Sequence, residues 1–287
     1  MGGISPGKEE TIVGRGGWFD KKHKVGRRKD KAKGMKRLAL EEVANRGSRG
    51  LSQTAESPNR IIVGKGTQCI PNSQPWQVAL FDRASLRCGG VLISPQWVLT
   101  AAHCNHKRYW VRLGEHNLRK LDGTEQIRMT GRSVTHPGFR AGPGIHDHDL
   151  RLLKLLTPVR ITHAVRPLAL PTACPTSGTL CLVSGWGKTS LINDRHPDQL
   201  QCLSLTITPN NTCHSVFPGK ITENMVCAGG SMVGQDACQG DSGGPLVCDN
   251  VLQGLVSWGL GCGQLGTPGV YVKICKYLDW IQTTVKN

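Results

Sequence analysis

The sequence predicts an all-β protein whose folded domain begins near Ile61 and ends in a single helix. Three observations support this prediction. Short apolar runs recur between Gly, Pro and Asn from Ile61 onward. Helical spacing is confined to the last residues, and all twelve cysteines lie after residue 68.

The short runs are interpreted as β-strands because they are rich in apolar residues and bounded by turn formers. They do not alternate with long helical patterns, which argues against α/β units. The final segment, YLDWIQTTVKN, places Leu278, Ile281 and Val285 on one helical face and predicts a C-terminal helix packed on the β body. The runs are WQVALF, GGVLIS, WVLTAA, YWVRLG, LRLLKLL, LCLVSGWG, LQCLSLTI, LQGLVSWG and GVYVKI.

The twelve cysteines indicate a disulfide-bonded extracellular protein, because their number is even and their spacings are wide. Structural zinc sites instead pair cysteines about two to four residues apart in repeated clusters. The sequence therefore argues against zinc knuckles, and no metal is expected at the functional site.

Residues 1–60 differ from the rest of the chain in charge. They carry 15 Lys and Arg against 7 Asp and Glu, and so hold half of the net charge of +16. The segment lacks apolar periodicity and interleaved aromatic residues, so we expect a disordered basic leader that does not bind nucleic acid. The alternative is a polyanion-binding tail. Residues 61–287 are predicted to form the folded domain.

The chain contains no apolar run long enough for a membrane span, and its N-terminus lacks the apolar core of a secretory signal. Disulfides nevertheless form in an oxidising compartment. We therefore expect a secreted, extracellular protein whose natural start differs from Met1, with unconventional export as the alternative.

Residues 238–248, CQGDSGGPLVC, place Ser242 between an aspartate and two glycines, with a cysteine at each end. A serine hydroxyl becomes a good nucleophile only when a base takes its proton and a third group orients that base. His103 in VLTAAHC is the candidate base, because it follows an apolar run and is tethered through Cys104. Structural or surface roles are expected for His106, His116, His136, His163, His196 and His214.

Two aspartates in HDHDLRLLKL are candidates to orient the imidazole. Asp149 leads directly into an apolar run that should bury it, whereas Asp147 is expected to face water. The backbone N–H groups of Gly240 and Ser242 are candidates to stabilise a developing oxyanion, and glycine permits a close approach of the substrate carbonyl.

Four of these segments, TAAHC, HDHDL, GDSGGPLVC and SWG, resemble the signature segments of the chymotrypsin-like serine peptidases, in the order His, Asp, Ser. Longer stretches, such as NSQPWQV, YWVRLGEHNL and GQDACQGDSGGPLVC, resemble the kallikrein-related peptidases. The resemblance covers residues 61–287.

The resemblance implies two six-stranded antiparallel β-barrels, with His103, Asp149 and Ser242 in the cleft between them. It implies a secreted, monomeric endopeptidase without a cofactor, which acts on protein or peptide substrates and meets serine protease inhibitors. It also implies six disulfides: Cys69–Cys202, Cys88–Cys104, Cys174–Cys275, Cys181–Cys248, Cys213–Cys227 and Cys238–Cys262.

Specificity for Arg or Lys before the cut bond is predicted from Asp236, which matches the base of the primary pocket in this family. A fixed carboxylate there suits a cationic side chain. Gly259 and Gly269 match the pocket walls and leave room for a long side chain. The backbone from Ser257 to Gly259 is expected to pair with an extended substrate.

Activation is expected to follow the zymogen route of the family, in which cleavage frees an Ile or Val whose ammonium pairs with the aspartate before the catalytic serine. Here that aspartate is Asp241, and the candidate cut after Arg60 frees Ile61 in IIVG. The segment from Ile61 to Cys69 is longer than in the similar kallikreins, which leaves activation open. The related TIVG at residues 11–14 lacks a preceding basic residue and is interpreted as coincidental.

Two further segments give weaker signals, one for a metal site and one for glycosylation. Glu115, Asp122 and Glu125 resemble the calcium loop of trypsins, with a plain solvated loop as the alternative. Asn210 in NNT is an acceptor for N-glycosylation in a secreted chain.

The competing hypothesis for function is a catalytically silent protease homologue that acts as a binding protein. The complete set of candidate catalytic and pocket residues favours the endopeptidase. Labelling with a serine-directed organophosphonate distinguishes the two.

Overall fold

The folded region is built from β-strands, as the sequence predicted. The computed structural model describes residues 66–142, 145–188, 196–230, 240–260 and 264–286. The predicted leader, residues 1–60, lies outside the described residues. The strands are Thr67–Gln68 (β1), Gln77–Asp82 (β2), Ser85–Ser94 (β3), Trp97–Thr100 (β4), Trp110–Leu113 (β5), Gln126–Thr135 (β6), Arg140–Gly142 (β7), Ile145–Asp147 (β8), Arg151–Leu155 (β9), Leu180–Gly185 (β10), Gln201–Thr206 (β11), Met225–Ala228 (β12), Pro245–Cys248 (β13), Val251–Trp258 (β14) and Gly269–Lys273 (β15). The helices are Asn210–Val216 (α1) and Leu278–Lys286 (α2), and a 3-10 turn covers Ile274–Lys276.

The first barrel closes in the order β2-β3-β4-β9-β6-β5, with every pairing antiparallel. Its core follows from the two-residue period of a strand, which sends alternate side chains inward. Val78 and Leu80 on β2 meet Leu153 and Leu155 on β9 in one buried cluster. The apolar runs recognised in the sequence therefore supply the barrel interior.

The second sheet has seven strands in the order β1-β11-β10-β13-β14-β15-β12. An antiparallel bridge between Ile207, just after β11, and Ala228 at the end of β12 joins the two sides of this sheet. The sheet therefore curves into the second, barrel-like half that the family resemblance implied.

The C-terminal helix is confirmed and packs as its spacing predicted. Ile281 is buried in a cluster with Tyr277 and Leu152, and Leu278 and Val285 pack against the same cluster. Its apolar face therefore covers the β body.

A further helix, α1, was missed, since the sequence predicted helical structure only at the C-terminus. It is seven residues long and begins directly after Pro209. So short an element shows no complete apolar stripe, and tertiary contacts stabilise it. Cys213 of α1 is buried and disulfide-bonded to Cys227 of β12.

Five of the six disulfides implied by the family resemblance are confirmed, and the sixth, Cys238–Cys262, lies outside the described residues. The five are Cys69–Cys202, Cys88–Cys104, Cys174–Cys275, Cys181–Cys248 and Cys213–Cys227. Among the described residues, no helix combines the length and the apolarity that a bilayer crossing requires.

Candidate active site

His103 lies in the turn after β4, and two long-range links hold this turn. The Cys88–Cys104 disulfide ties it to β3. The buried Arg151 guanidinium donates to the carbonyl oxygens of Cys104 (2.9 Å) and His106 (3.1 Å). The imidazole therefore projects from a turn that is anchored on both sides, which limits its movement during chemistry.

Asp149 lies directly before β9 and is fully buried. One carboxylate oxygen, Oδ1, accepts the backbone N–H of His103 at 2.9 Å. The other, Oδ2, accepts the His103 Nδ1–H at 2.7 Å and the Ser257 hydroxyl at 2.6 Å. Because a carboxylate only accepts, His103 carries its proton on Nδ1 and leaves Nε2 able to take one.

Two opposing effects act on the pKa of Asp149. Burial raises this pKa. The hydrogen bonds and charge of His103, together with the Ser257 hydroxyl, lower it by more, so the net pKa lies below its usual value. The carboxylate therefore remains charged near neutral pH, where it can stabilise a positive imidazole.

Asp147 has different partners from Asp149. The sequence led us to expect Asp147 to face water, but its side chain is only 24% exposed. Its Oδ1 accepts from the Thr222 hydroxyl at 2.9 Å and the Asn224 amide at 3.1 Å. The expectation was wrong because these donors come from the distant 222–224 turn, and Asp147 holds that turn instead of the imidazole.

Ser242 lies between the two halves of the fold. Its carbonyl oxygen accepts the N–H of Gly89 on β3 at 2.8 Å, and the N–H of Gly243 donates to Val256 on β14 at 2.8 Å. Gly243 has φ +78°, and a Cβ there would overlap the Thr100 hydroxyl, so this position requires glycine. In the described part of the chain, no hydrogen bond joins the Ser242 hydroxyl to the His103 ring; such bonds are often long in a free enzyme.

Gly240, the candidate oxyanion glycine, also requires the absence of a side chain. It has φ +103°, and a Cβ there would lie 2.8 Å from Cε1 of His196. His196 is itself held by its Nδ1, 2.9 Å from the carbonyl oxygen of Trp186. The structure thus packs His196, which the sequence assigned to a structural role, directly against this glycine.

Asp241, the predicted partner of a new N-terminus, lies against β10 and the residues that follow it. Its Oδ1 accepts the N–H of Gly187 at 2.7 Å. A side chain at Gly185 or Gly187 would overlap the carboxylate, so both glycines make room for it. The activation residues Arg60 and Ile61 lie outside the described residues.

The predicted substrate pocket is described only in part. Asp236 lies outside the described residues. Ser257 is near the end of β14, and Gly259 follows that strand directly. Gly269 is buried at the start of β15, where it pairs with Ala228. Trp258 at the end of β14 pairs with Val270 near the start of β15. The two proposed wall glycines, Gly259 and Gly269, are the neighbours of this pair in sequence.

His146 was missed by the sequence analysis and lies beside the candidate base. Its ring centroid is 5.2 Å from that of His103 and 6.4 Å from the Phe139 ring. Burial lowers the pKa of His146, the charge of Asp149 raises it and His103 lowers it, for a net decrease. Its place three residues before Asp149 in HDHD was the available signal, but nothing in the pattern gave its direction.

The predicted calcium residues do not form a ready-made site. The Glu115 carboxylate is buried and lies 3.4 Å from the Arg112 guanidinium. Asp122 accepts two backbone N–H groups, and Glu125 accepts the N–H of Asp122. Within the described ranges, no three acidic, His or Cys side chains cluster as metal ligands. Calcium binding by these residues therefore stays a prediction.

Burial raises the pKa of Glu115 to about 7, and the charges of Glu125 and Asp122 also raise it, while Arg112 lowers it. The protonation state of Glu115 therefore changes near neutral pH, and a bound cation would lower this pKa.

Comparison with known proteins identifies the family. The trypsin family model matches residues 63–281. Human kallikrein-12 is 63% identical over 240 residues, which cover 83% of this chain and 95% of that protein. Human kallikrein-11 is 53% identical over 231 residues, covering 79% and 81%.

The fold comparison agrees. The solved structure of mouse neuropsin, titled a serine protease expressed in the limbic system of mouse brain, superposes with a TM-score of 0.74. It is 48% identical and covers 77% of this chain and 98% of that one. With a buried aspartate holding the histidine of one turn and a serine placed between the closed barrel and the seven-stranded sheet, this chain belongs to the trypsin family of serine peptidases, within the kallikreins.

Proposed function

We propose that this chain is a secreted endopeptidase, made as a zymogen, that cleaves peptide bonds after Arg or Lys. One observation carries the proposal: the buried Asp149 carboxylate accepts both the backbone N–H and the Nδ1–H of His103. This arrangement fixes the tautomer in which Nε2 is free to act as a base.

The proposed chemistry begins when His103 Nε2 takes the proton of the Ser242 hydroxyl as its oxygen attacks the substrate carbonyl. The carbonyl π electrons move onto oxygen, where the N–H groups of Gly240 and Ser242 stabilise the negative charge. Asp149 stays ionised and stabilises the imidazolium. Its low pKa supports this role.

His103 then returns the proton to the leaving amine, the C–N bond breaks, and an acyl-serine remains. Water repeats the sequence: His103 takes its proton, hydroxide oxygen adds to the acyl carbon, and the Ser242 oxygen leaves with the proton. Oxyanion stabilisation by one donor is worth about 10²–10³ in turnover.

Specificity is assigned to Asp236 at the base of the pocket, with Gly259 and Gly269 as walls and Ser257 to Gly259 as the pairing strand. The buried, paired Gly269 supports a rigid wall. Serine protease inhibitors are the expected partners, because they present the same extended strand. We expect a monomer, glycosylated at the exposed Asn210.

Activation is assigned to a cut after Arg60, whose new Ile61 ammonium would approach Asp241. The narrow site made by Gly185 and Gly187 supports this, because it holds the Asp241 carboxylate in a defined place.

The testing experiment is covalent labelling of the full chain with an Arg-type organophosphonate, before and after trypsin treatment. We expect labelling only after treatment, and none in Ser242→Ala, whose turnover should fall on the order of 10⁶-fold. N-terminal sequencing of the same sample should read Ile-Ile-Val-Gly. A correctly cut chain without labelling would favour the silent homologue instead.

A further inference from the structure

A groove of about 930 Å³ lies on one side of the candidate site, and we call it the leaving-side groove. Its floor is apolar, because Phe81, Leu86 and Leu118 pack in one cluster beneath it. Its walls include His196 and an exposed ion pair, in which Arg119 Nε lies 2.8 Å from Asp198 Oδ1. The groove thus combines an apolar base with polar edges.

His196 connects this groove to the reaction site. Its ring packs against Gly240, two residues before Ser242. Because the Trp186 carbonyl can only accept, His196 carries a proton on Nδ1, and its Nε2 has no hydrogen-bond partner among the described residues. A peptide in the groove would therefore pass the His196 imidazole close to the oxyanion glycine.

The strands around Ser242 define which end of a substrate reaches the groove. Ser242 lies between Gly89 of β3 and Val256 of β14. The proposed function pairs the residues before the cut bond with Ser257 to Gly259, on the β14 side. The residues after the cut bond must then run over β3, toward Cys88 and the leaving-side groove.

This exit is bordered by cations, which we call the basic rim: Arg83, Arg87, Lys107 and Arg108. The Cys88–Cys104 disulfide joins the two segments that carry them. All four side chains are exposed, and Asp82 is the one carboxylate in segments 82–88 and 104–109.

Asp82 does not balance the rim. It contacts Arg87 at 3.8 Å and His106 at 3.5 Å. Across the described ranges of the chain, no ion pair engages Arg83, Lys107 or Arg108. The rim therefore carries more positive than negative charge, so an acidic side chain in the exit is favoured and a basic one is disfavoured.

We propose that the leaving-side groove and the basic rim select protein substrates with an apolar residue, followed by acidic residues, directly after the cut bond. The apolar side chain packs on Phe81, Leu86 and Leu118, and the acidic side chains meet the rim. An extended chain advances roughly 3.3 Å per residue, so four residues after the cut bond span about 13 Å. This inference rests on the proposed cleavage after Arg or Lys.

The test uses quenched fluorescent peptides that are identical up to the cleaved Arg and differ only after it. Their leaving sides are Leu-Asp-Glu-Ser, the isosteric neutral Leu-Asn-Gln-Ser, the basic Leu-Lys-Lys-Ser, and Ser-Asp-Glu-Ser. For trypsin-treated full chain at low salt, we expect kcat/KM for the acidic peptide to exceed the neutral one by about tenfold, from two or more exposed charge pairs. This ratio should fall to about twofold in about 0.5 M NaCl, and replacing Leu by Ser should lower kcat/KM several-fold.

The variant Lys107→Glu with Arg108→Glu should abolish or reverse the charge preference. The matched control is Arg166→Glu with Lys286→Glu, which changes net charge equally at exposed positions after β9 and at the end of α2. The control should keep the preference. A small Arg-amide substrate, with no peptide after the cut bond, should be cleaved equally by wild type and both variants.

The outcomes separate this inference from the proposed function. If the Arg-amide is not hydrolysed by any form, the proposed function fails and this inference fails with it. If the amide is hydrolysed but the acidic, neutral and basic peptides are cleaved equally, the leaving-side selection is wrong while the peptidase assignment stands. Equal loss of preference in the rim variant and in the control would also overturn it, since net charge and not the rim would then be responsible.

Discussion

Replacing Asp149 by Asn tests the candidate site most directly, because the two side chains have nearly the same shape. The native carboxylate receives three donors: the backbone N–H and Nδ1–H of His103, and the Ser257 hydroxyl. An amide has one oxygen and one NH₂ group, so it cannot accept at both positions.

Two orientations of the substituted amide at position 149 are available, and both are unfavourable. If the amide nitrogen lies near His103 Nδ1, the imidazole must accept there, and its proton moves to Nε2, facing Ser242. His103 then cannot act as the base. If the nitrogen lies near the His103 backbone N–H, two donors face each other in a fully buried site, which costs about 1–3 kcal/mol.

The first orientation avoids this buried conflict with the backbone, so we expect the inactive tautomer to dominate. Turnover should then fall about 10⁴-fold at neutral pH, equivalent to about 5.5 kcal/mol of activation free energy at 1.36 kcal/mol per tenfold. The assay is hydrolysis of an Arg-amide by trypsin-treated chain, with active sites titrated by organophosphonate and folding checked by thermal unfolding.

The matched control is Asp147→Asn, two residues away in the same segment. Its carboxylate contacts Thr222 and Asn224, so its loss should lower turnover by less than about tenfold. Turnover of Asp149→Asn within tenfold of wild type, with a larger loss for Asp147→Asn, would refute the assignment of Asp149 as the orienting carboxylate.

Three further predictions concern Asp236, Asp241 and Glu115. Asp236→Ser should remove most cleavage after Arg, by about tenfold or more, because a charge-assisted pair of about 1.5–3 kcal/mol is lost; a wild-type preference for Phe or Leu in a peptide library would contradict this. Asp241→Asn should blunt the rise in Arg-amide hydrolysis after cleavage at Arg60, and a full rise would exclude the ammonium–carboxylate model. Burial raises the pKa of Glu115 to about 7. Between about pH 4.5 and 7 the folded protein therefore binds more protons than the unfolded chain. The free energy of unfolding should then fall by about 3 kcal/mol as pH rises through this window. Urea unfolding should show this loss in wild type and not in Glu115→Gln, and stabilisation of wild type alone by calcium at pH 7.5 would show that the carboxylates rearrange around the ion.

The family and most of the fold could be predicted from the sequence. The positions of nine strands follow from short apolar runs, because apolar side chains and flanking turn residues act locally. Strands β6, β12 and β13 match none of those runs. The C-terminal helix follows from the spacing of Leu278, Ile281 and Val285. The short helix α1 was not predicted in this way, because its seven residues show no complete apolar stripe and tertiary contacts stabilise it.

The sequence by itself determined the chemical types at the site: a serine among glycines, a histidine tethered by a cysteine, and an aspartate before an apolar strand. The tertiary structure alone decided which groups meet. His103 and Asp149 are 46 residues apart, and Ser257 lies 108 residues beyond Asp149. His103 and Ser257 nevertheless both donate to the buried Asp149 carboxylate. Long-range packing also turned Asp147 from water toward Thr222 and Asn224. The same kind of packing placed His146 beside His103 and His196 against Gly240. A local pattern indicates which atoms a segment can offer, but hydrogen bonds have strict distances and angles that are met only when the barrel and the second sheet pack together.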